Sequence, residues 1–258
     1  MTDLKSKTVF ITGATSGIGK STAMKFAGLG ANILICARRK ERLAELQRHL
    51  SLQFKVTAYA FELDVRNQQR VEKTLNGLPA EWKDISVLAN NAGLSRGLDT
   101  IQEGSISDWD EMIDTNVKGL LYVSRVVIPW MIQRNEGHII NIGSVAGHWV
   151  YPKGNVYNAS KYAVNALSQG MKMDLLGTPL RVTSVDPGLV ETEFSVVRFH
   201  GDAEKASAVY KGMTPLTPDD IADAIVWAAT RPAHVNINEI ILMPTEQSSP
   251  TMVHRKNN

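Results

Sequence analysis

The chain has 258 residues, 43% of them hydrophobic and 21% charged, the balance of an ordinary globular fold with a sizeable core. Its 28 basic and 26 acidic residues leave a net charge of +2, too even and too scattered for an electrostatic nucleic-acid binder. A single cysteine, Cys36, excludes an internal disulfide and a cysteine-based metal site. The first residues, Met-Thr-Asp-Leu-Lys-Ser-Lys, lack the apolar region of a signal peptide. No apolar run approaches the roughly 18 residues of a membrane span, so a cytoplasmic protein is expected.

In chain order, a short apolar run at 9–11 reads as a strand. It leads directly into Thr12-Gly13-Ala14-Thr15-Ser16-Gly17-Ile18-Gly19, which opens a helix. Gly13 suits a tight turn, Gly17 a close approach of backbone to a pyrophosphate, and Gly19 tight helix–strand packing. The helix start supplies N–H groups and a positive dipole end for phosphates. A bare glycine triplet also fits an ordinary strand-to-helix turn. The strand before it and the helix after it are the context that dinucleotide binding requires.

A second run, 33–37, ends in Arg38-Arg39, with no acid between Asn32 and Lys40. Sites for NAD place a carboxylate near this point, whereas arginines suit the 2′-phosphate of NADP. Otherwise the pair is a solvated start to a helix. Runs at 56–60 and 87–89 come next, the latter leading into Asn90-Asn91-Ala92-Gly93, small enough to lie against a ligand. A long helix is expected over 108–135, then a run at 138–142 followed by Ser144. The segment 155–176 has helical spacing and puts Tyr157 and Lys161 on one face at i and i+4. Such a pair also occurs by chance on exposed helices. Runs at 182–185 and 237–242 complete the set. Between them, about 187–218, lies an irregular stretch with a mixed helical patch at 203–211.

Strand–helix alternation without polar interruption predicts a parallel sheet with helices on both faces. With no linker, 1–258 reads as one domain, and the segment 188–216 lies where ligand crevices form in open α/β sheets. The histidines at 138, 148, 200, 234 and 254 show no metal-ligand spacing, so no metal is expected.

The set TGATSGIG, NNAG, Asn116, Ser144 and YNASK resembles the short-chain dehydrogenase/reductase family, over about residues 7–242. The resemblance implies a Rossmann-type, doubly wound sheet in the order 3-2-1-4-5-6-7. It implies a catalytic tetrad at Asn116, Ser144, Tyr157 and Lys161, with Asn116 anchoring a water beside Lys161. Asp64 and Val65 match the family's adenine contacts, and Pro187, Gly188 and Thr192 its nicotinamide-side contacts. Thr15, Ser16, Ile18, Asn91, Ala92 and Gly93 join the cofactor set, as do Tyr157 and Lys161. The stretch 185–199, with 232–238 and Met243-Pro244-Thr245, is similar to NADP-dependent 3-hydroxy acid dehydrogenases, including those acting on serine and allo-threonine. Asp186 departs from the small or apolar residue common before Pro-Gly.

The resemblance implies hydride exchange between NADP and the 3-hydroxyl of a small acid. Tyr157 moves the proton, the Lys161 ammonium and the cofactor's positive nicotinamide favour its phenolate, and Ser144 orients the substrate oxygen. A 3-oxoacyl thioester reductase and a non-catalytic cofactor-binding protein are the alternatives. A free carboxylate needs a cation in the pocket. Arg198 is the first candidate, ahead of Lys153 and Arg96, unless it pairs with Glu191 or Asp202. The family's pairing of long helices implies a homotetramer. No nucleic-acid or membrane partner is expected.

Overall fold

Residues 2–256 are described by the computed structural model of the chain. The apolar runs become β1 (Thr8–Thr12), β2 (Asn32–Ala37), β3 (Ala58–Glu62), β4 (Ile85–Asn90), β5 (His138–Ile142), β6 (Arg181–Pro187) and β7 (Glu239–Leu242). Among the described residues they form one sheet in the order β3-β2-β1-β4-β5-β6-β7, with every neighbouring pair parallel. β1, β4, β5 and β6 are buried along their whole length, which is why their sequences lack polar alternation. This is the Rossmann-type arrangement.

In chain order the helices are α1 (Gly17–Gly28), α2 (Lys40–Phe54), α3 (Gln68–Asn76), α4 (Ile106–Ile113), α5 (Leu120–Arg134), α6 (Asn155–Asp174), α7 (Glu193–Arg198), α8 (Ala203–Ala208) and α9 (Pro218–Ala229). α1, α2 and α9 cover one face, packing Phe26, Leu50 and Ile225 against Val9, Ile33 and Ile140. α3, α5 and α6 cover the other, packing Leu75, Val127 and Met171 against Phe10, Leu34 and Ile139. Adjacent residues of β1 thus serve opposite cores, as the two-residue period of a strand demands. The chain leaves β1 for β2 on one side and reaches β4 on the other. That reversal opens a crevice at the carboxyl ends of the strands.

Two elements differ from the sequence reading. The helix expected over 108–135 is α4 and α5 joined by a π-helical turn, Asp114–Gly119, which contains Asn116. A Cβ on Gly119 would meet Val65 Cγ2 at 2.6 Å, so the helix can approach the loop after β3 only through a glycine. The segment 188–216 holds α7 as well as α8, where only a patch at 203–211 was expected. Its ends are tied to each other: Leu216 N–H donates to Leu189 O and Glu191 N–H to Leu216 O, both at 2.9 Å. A loop closed in this way can carry helices over the crevice without straining the sheet.

His138 opens β5 and is buried. Thr183 Oγ1 donates to Ile237 O at 2.6 Å, so it accepts from His138 Nε2 at 2.8 Å, and His138 Nδ1 is left without a partner. Burial, aided by the nearby Arg181 guanidinium, holds the imidazole well below its ordinary value of 6.5. The unfolded chain therefore binds this proton first as pH falls, and the folded state loses stability below about pH 6.5. Chemical denaturation between pH 7 and 5 should show a slope of up to about 1.4 kcal/mol per pH unit from this group. His138→Gln should flatten that slope; an unchanged slope would assign it to other groups.

Candidate active site

The crevice is built first from the loop that leaves β1. Gly13 has φ of +66°, and a Cβ there would lie 2.9 Å from Ala92 Cα, so no other residue fits. Opposite it, the Asn91 amide donates to Thr12 O at 2.9 Å and Gly13 O at 3.1 Å. Thr12 Oγ1 accepts from the backbone of Asn91 and Ala92. Gly19 leaves room for that same amide, which a Cβ would strike. The two glycine-bearing loops are thereby one unit. Ser16 precedes α1 but makes no side-chain cap, and no acid lies in the first turn. The positive end of α1 is therefore left unneutralised beside the cavity, which suits a pyrophosphate.

Arg39 reaches across this loop. Its guanidinium donates to Thr15 Oγ1 at 3.0 Å, to Ser16 Oγ at 2.7 Å and to Glu193 at 2.7 Å. Arg42, one turn further along α2, donates to the other Glu193 oxygen at 2.7 Å. These two arginines hold the Glu193 carboxyl below its ordinary value. Arg38 instead meets Glu111 at 3.3 Å, together with Arg66 at 3.1 Å and Arg96 at 2.7 Å. Burial pushes the Glu111 carboxyl up, but the three guanidiniums outweigh it and lower it. Asp64 is paired with Arg66 at 2.6 Å, and Val65 lies beside it at the cavity wall. Arg42, Arg66, Glu111 and Glu193 were not singled out from sequence. Only Arg42 carried a signal there, lying one helical turn beyond Arg39.

At the other end, α6 presents Tyr157 and Lys161, both buried. Lys161 Nζ donates to Ile142 O at 2.9 Å and lies 5.9 Å from the centre of the Tyr157 ring. Ser144 follows β5, with its hydroxyl beside the phenol. Burial, with Tyr151 nearby, pushes the Tyr157 hydroxyl up to about 12, although Arg198 and Ser144 oppose this. Burial also brings Lys161 down to about 8, against the pull of Asp186. The protein alone therefore favours the protonated phenol, and the sequence reading had Lys161 and the cofactor's positive nicotinamide together favouring the phenolate. Asn116 lies outside the cavity wall. Its amide donates to Leu94 O and Ser160 Oγ, and its oxygen accepts from Leu94 N–H. Both donors of the expected water anchor are spent on clamping the NNAG loop to α6.

The cavity has a volume of about 580 Å³, within the usual range for a small-molecule site. Gly13, Thr15, Ser16, Gly17 and Ile18 line it, as do Arg38, Arg39, Asn91, Ala92 and Gly93. So do Pro187, Gly188 and Thr192, with Ser144, Tyr157, Lys161 and Arg198. The Arg198 guanidinium lies 5.2 Å over the Tyr157 ring and 5.1 Å from that of Phe194. It donates to Ser95 Oγ and Tyr151 Oη, both at 3.1 Å, and pairs with no carboxylate among the described residues. Glu191 and Asp202 are thus not its partners. Lys153 is exposed and outside the cavity wall, and Arg96 is spent on Glu111 and Val197 O. On the far side of β5, His148, Asp186 and Glu239 bring donor atoms within 4.8 Å of one another. Their separation in sequence concealed this cluster.

A family model described as short chain dehydrogenase matches residues 7–202. The chain is 51% identical over 249 residues to the NADP-dependent 3-hydroxy acid dehydrogenase YdfG of Salmonella typhi, covering 96% of this chain and 99% of that protein. It is 44% identical over 244 residues to sulfoacetaldehyde reductase 2 of Chromohalobacter salexigens, covering 94% and 96%. Among solved structures, the closed form of serine dehydrogenase complexed with NADP+ matches with a TM-score of 0.91 and 48% identity, covering 96% of this chain and 100% of that one. With the loops, the tyrosine–lysine pair and the sheet order in place, the chain belongs to the short-chain dehydrogenase family.

Proposed function

We propose that this protein is an NADP-dependent dehydrogenase that interconverts the 3-hydroxyl and 3-oxo groups of a small 3-hydroxy acid such as serine, allo-threonine or 3-hydroxyisobutyrate. The observation that carries the substrate class is Arg198, a guanidinium held over the Tyr157 ring without a carboxylate partner among the described residues. A substrate carboxylate would lose its hydration in this cavity, and a planar, two-toothed donor is the group that compensates for it. A thioester has no need of such a cation. The names of the 3-hydroxy acid and serine dehydrogenase relatives support the same class.

NADP fits the uncapped start of α1 and the Arg38–Arg39 pair. When bound, it gives or takes the hydride, and its oxidised form adds a positive charge near the phenol. The protein's residues do the rest. In reduction, the protonated Tyr157 donates its proton to the developing alkoxide. In oxidation, it accepts that proton once nearby positive charge has lowered it from about 12. Ser144 holds the substrate oxygen by a hydrogen bond. Arg198 fixes the acid end, so the reacting carbon is presented in one orientation. The loop 188–216, tied at its base, excludes water from the site.

The same reading takes 1–258 as one domain of a cytoplasmic homotetramer. Among the described residues no helix is long and apolar enough to cross a membrane. Leu121 on α5, Met173 on α6 and Leu176 just beyond it are apolar yet exposed, Leu176 to 80%, which suits burial between copies of the chain.

Four measurements test these statements. Arg39→Ala should lower kcat/KM with NADP by about 10- to 100-fold, the loss of a charge-assisted hydrogen bond, and leave that with NAD nearly unchanged. Equal losses would remove Arg39 from the 2′-phosphate. The wild-type enzyme should oxidise serine or 3-hydroxyisobutyrate with NADP and act poorly on an acetoacetyl thioester. Arg198→Ala should raise KM for the free acid at least tenfold more than for its uncharged methyl ester; equal rises would make Arg198 structural. Light scattering at micromolar concentration should give the mass of four chains, and a monomer alone would refute the assembly.

A further inference from the structure

Ser184 and Asp186 are two residues apart on β6 and so face the same side of the sheet. In the parallel register Ser184 stands beside Asn141 of β5 and Glu239 of β7. Asp186 itself stands beside Ile241 of β7, and on its other side lies Gly143, just past the end of β5, whose N–H donates to Val185 O at 2.9 Å. A Cβ at 143 would overlap the Asp186 carboxylate, so the glycine before Ser144 makes the space in which that carboxylate sits. Asp186 is 1% exposed. Ser184 Oγ donates to its Oδ1 at 2.8 Å, and His148 Nε2 lies 3.1 Å from its Oδ2. The same Nε2 is 3.5 Å from Glu239 Oε1 and 3.4 Å from the Asn165 amide nitrogen, and the nearer Asp186 carboxylate with Glu239 makes it a donor. The Asn165 amide donates to Glu239 at 3.0 Å and closes the cluster from α6.

Lys161 Nζ sits on the next peptide of β5, donating to Ile142 O. Its other neighbours, Asn116, Gly93 and Tyr157, are neutral. On the cavity side, Tyr157 faces Tyr151 and the Arg198 cation. Asp186 is thus the negative group that bears on Lys161, while its effect on Tyr157 is slight beside those of burial, Tyr151 and Arg198. A buried ammonium without a counter-charge gives up its proton.

We propose that Asp186, fixed by Ser184 and His148 in the space above Gly143, is the buried counter-charge that keeps Lys161 an ammonium and is therefore a positioning residue for the tyrosine–lysine pair. Glu239 and Asn165 act one step behind it, by holding His148 in place. This inference rests on the reading of Tyr157 and Lys161 as the proton-transferring pair. Burial raises the Asp186 carboxyl from its ordinary value, and the Ser184 and His148 hydrogen bonds oppose this. Those two donors therefore favour its charged form in a place where solvent does not.

The test is the pH profile of Asp186→Asn, which preserves shape and removes charge. The wild type should lose kcat/KM on the alkaline side as Lys161, brought down to about 8 by burial, gives up its proton, and in Asp186→Asn that fall should move about one unit towards acid. Activity should then be roughly tenfold lower above pH 8 and close to wild type at pH 6. NMR of lysine labelled at Cε, in the cofactor-free protein, should show the same displacement of the Lys161 titration. His148→Leu, which leaves the carboxylate in place without its donor, should shift both readouts the same way by less, and covers the case in which Asp186→Asn does not fold. Unmoved profiles in folded Asp186→Asn, with Lys161→Ala inactive, would overturn this inference and leave the catalytic reading intact. Full activity in Lys161→Ala would overturn the catalytic reading, and with it this inference. Stabilisation of the wild type by micromolar zinc, lost in His148→Leu, would also overturn it by making the cluster a metal site.

Discussion

The structure is organised around a lysine ammonium with almost no water. Burial works against the charge of Lys161, and every element near it supplies part of the compensation. β5 ends with a carbonyl that accepts its hydrogen bond. α6 places it one turn from Tyr157. The π-helical turn between α4 and α5 points Asn116 at Leu94 and Ser160, which locks the NNAG loop against α6 at the point where Lys161 emerges. π turns interrupt helices at a cost and are frequent at functional sites. Here the interruption makes the clamp possible.

The loop over the crevice joins the two ends of the site. At its first turn, Glu193 is held by Arg39 and Arg42, beside the surface suited to the 2′-phosphate. At the last residue of the same short helix, Arg198 lies over the Tyr157 ring. Six residues of α7 thus link the adenosine side of the cavity to the substrate side. The exposed Glu193 pairs are weak individually, since solvent screens them, and can be exchanged when a phosphate arrives. Arg198 instead lies against two aromatic rings and is fixed by hydrogen bonds to Ser95 and Tyr151.

Much of this architecture is legible in the chain itself. Runs of β-branched and aliphatic residues without alternation mark strands buried on both faces, and their spacing forces crossovers and a parallel sheet. Thr12–Gly19 and Asn90–Gly93 can be read because glycine is required wherever backbones touch, as at Gly13 against Ala92. Tyr157 and Lys161 can be paired because a helix has a fixed period. Each of these inferences concerns neighbours within one element or one turn, where covalent geometry dictates the result.

What the sequence determined by itself was therefore local: the strands, the glycine-rich turn after β1, the tyrosine–lysine face and the absence of an acid between Asn32 and Lys40. Tertiary structure alone decided which distant groups meet. Arg198 faces the ring of Tyr157, far behind it in the chain, rather than Glu191 or Asp202, because the loop folds back over the crevice. Lys153, nearer to Tyr157 in sequence, points out to solvent. Asp186 finds His148 and Glu239 because parallel pairing puts β6 between β5 and β7, and no spacing along the chain encodes that register. Charge and burial act through space, so the surroundings that govern the protonation of Tyr157 and Lys161 exist only once the sheet has closed.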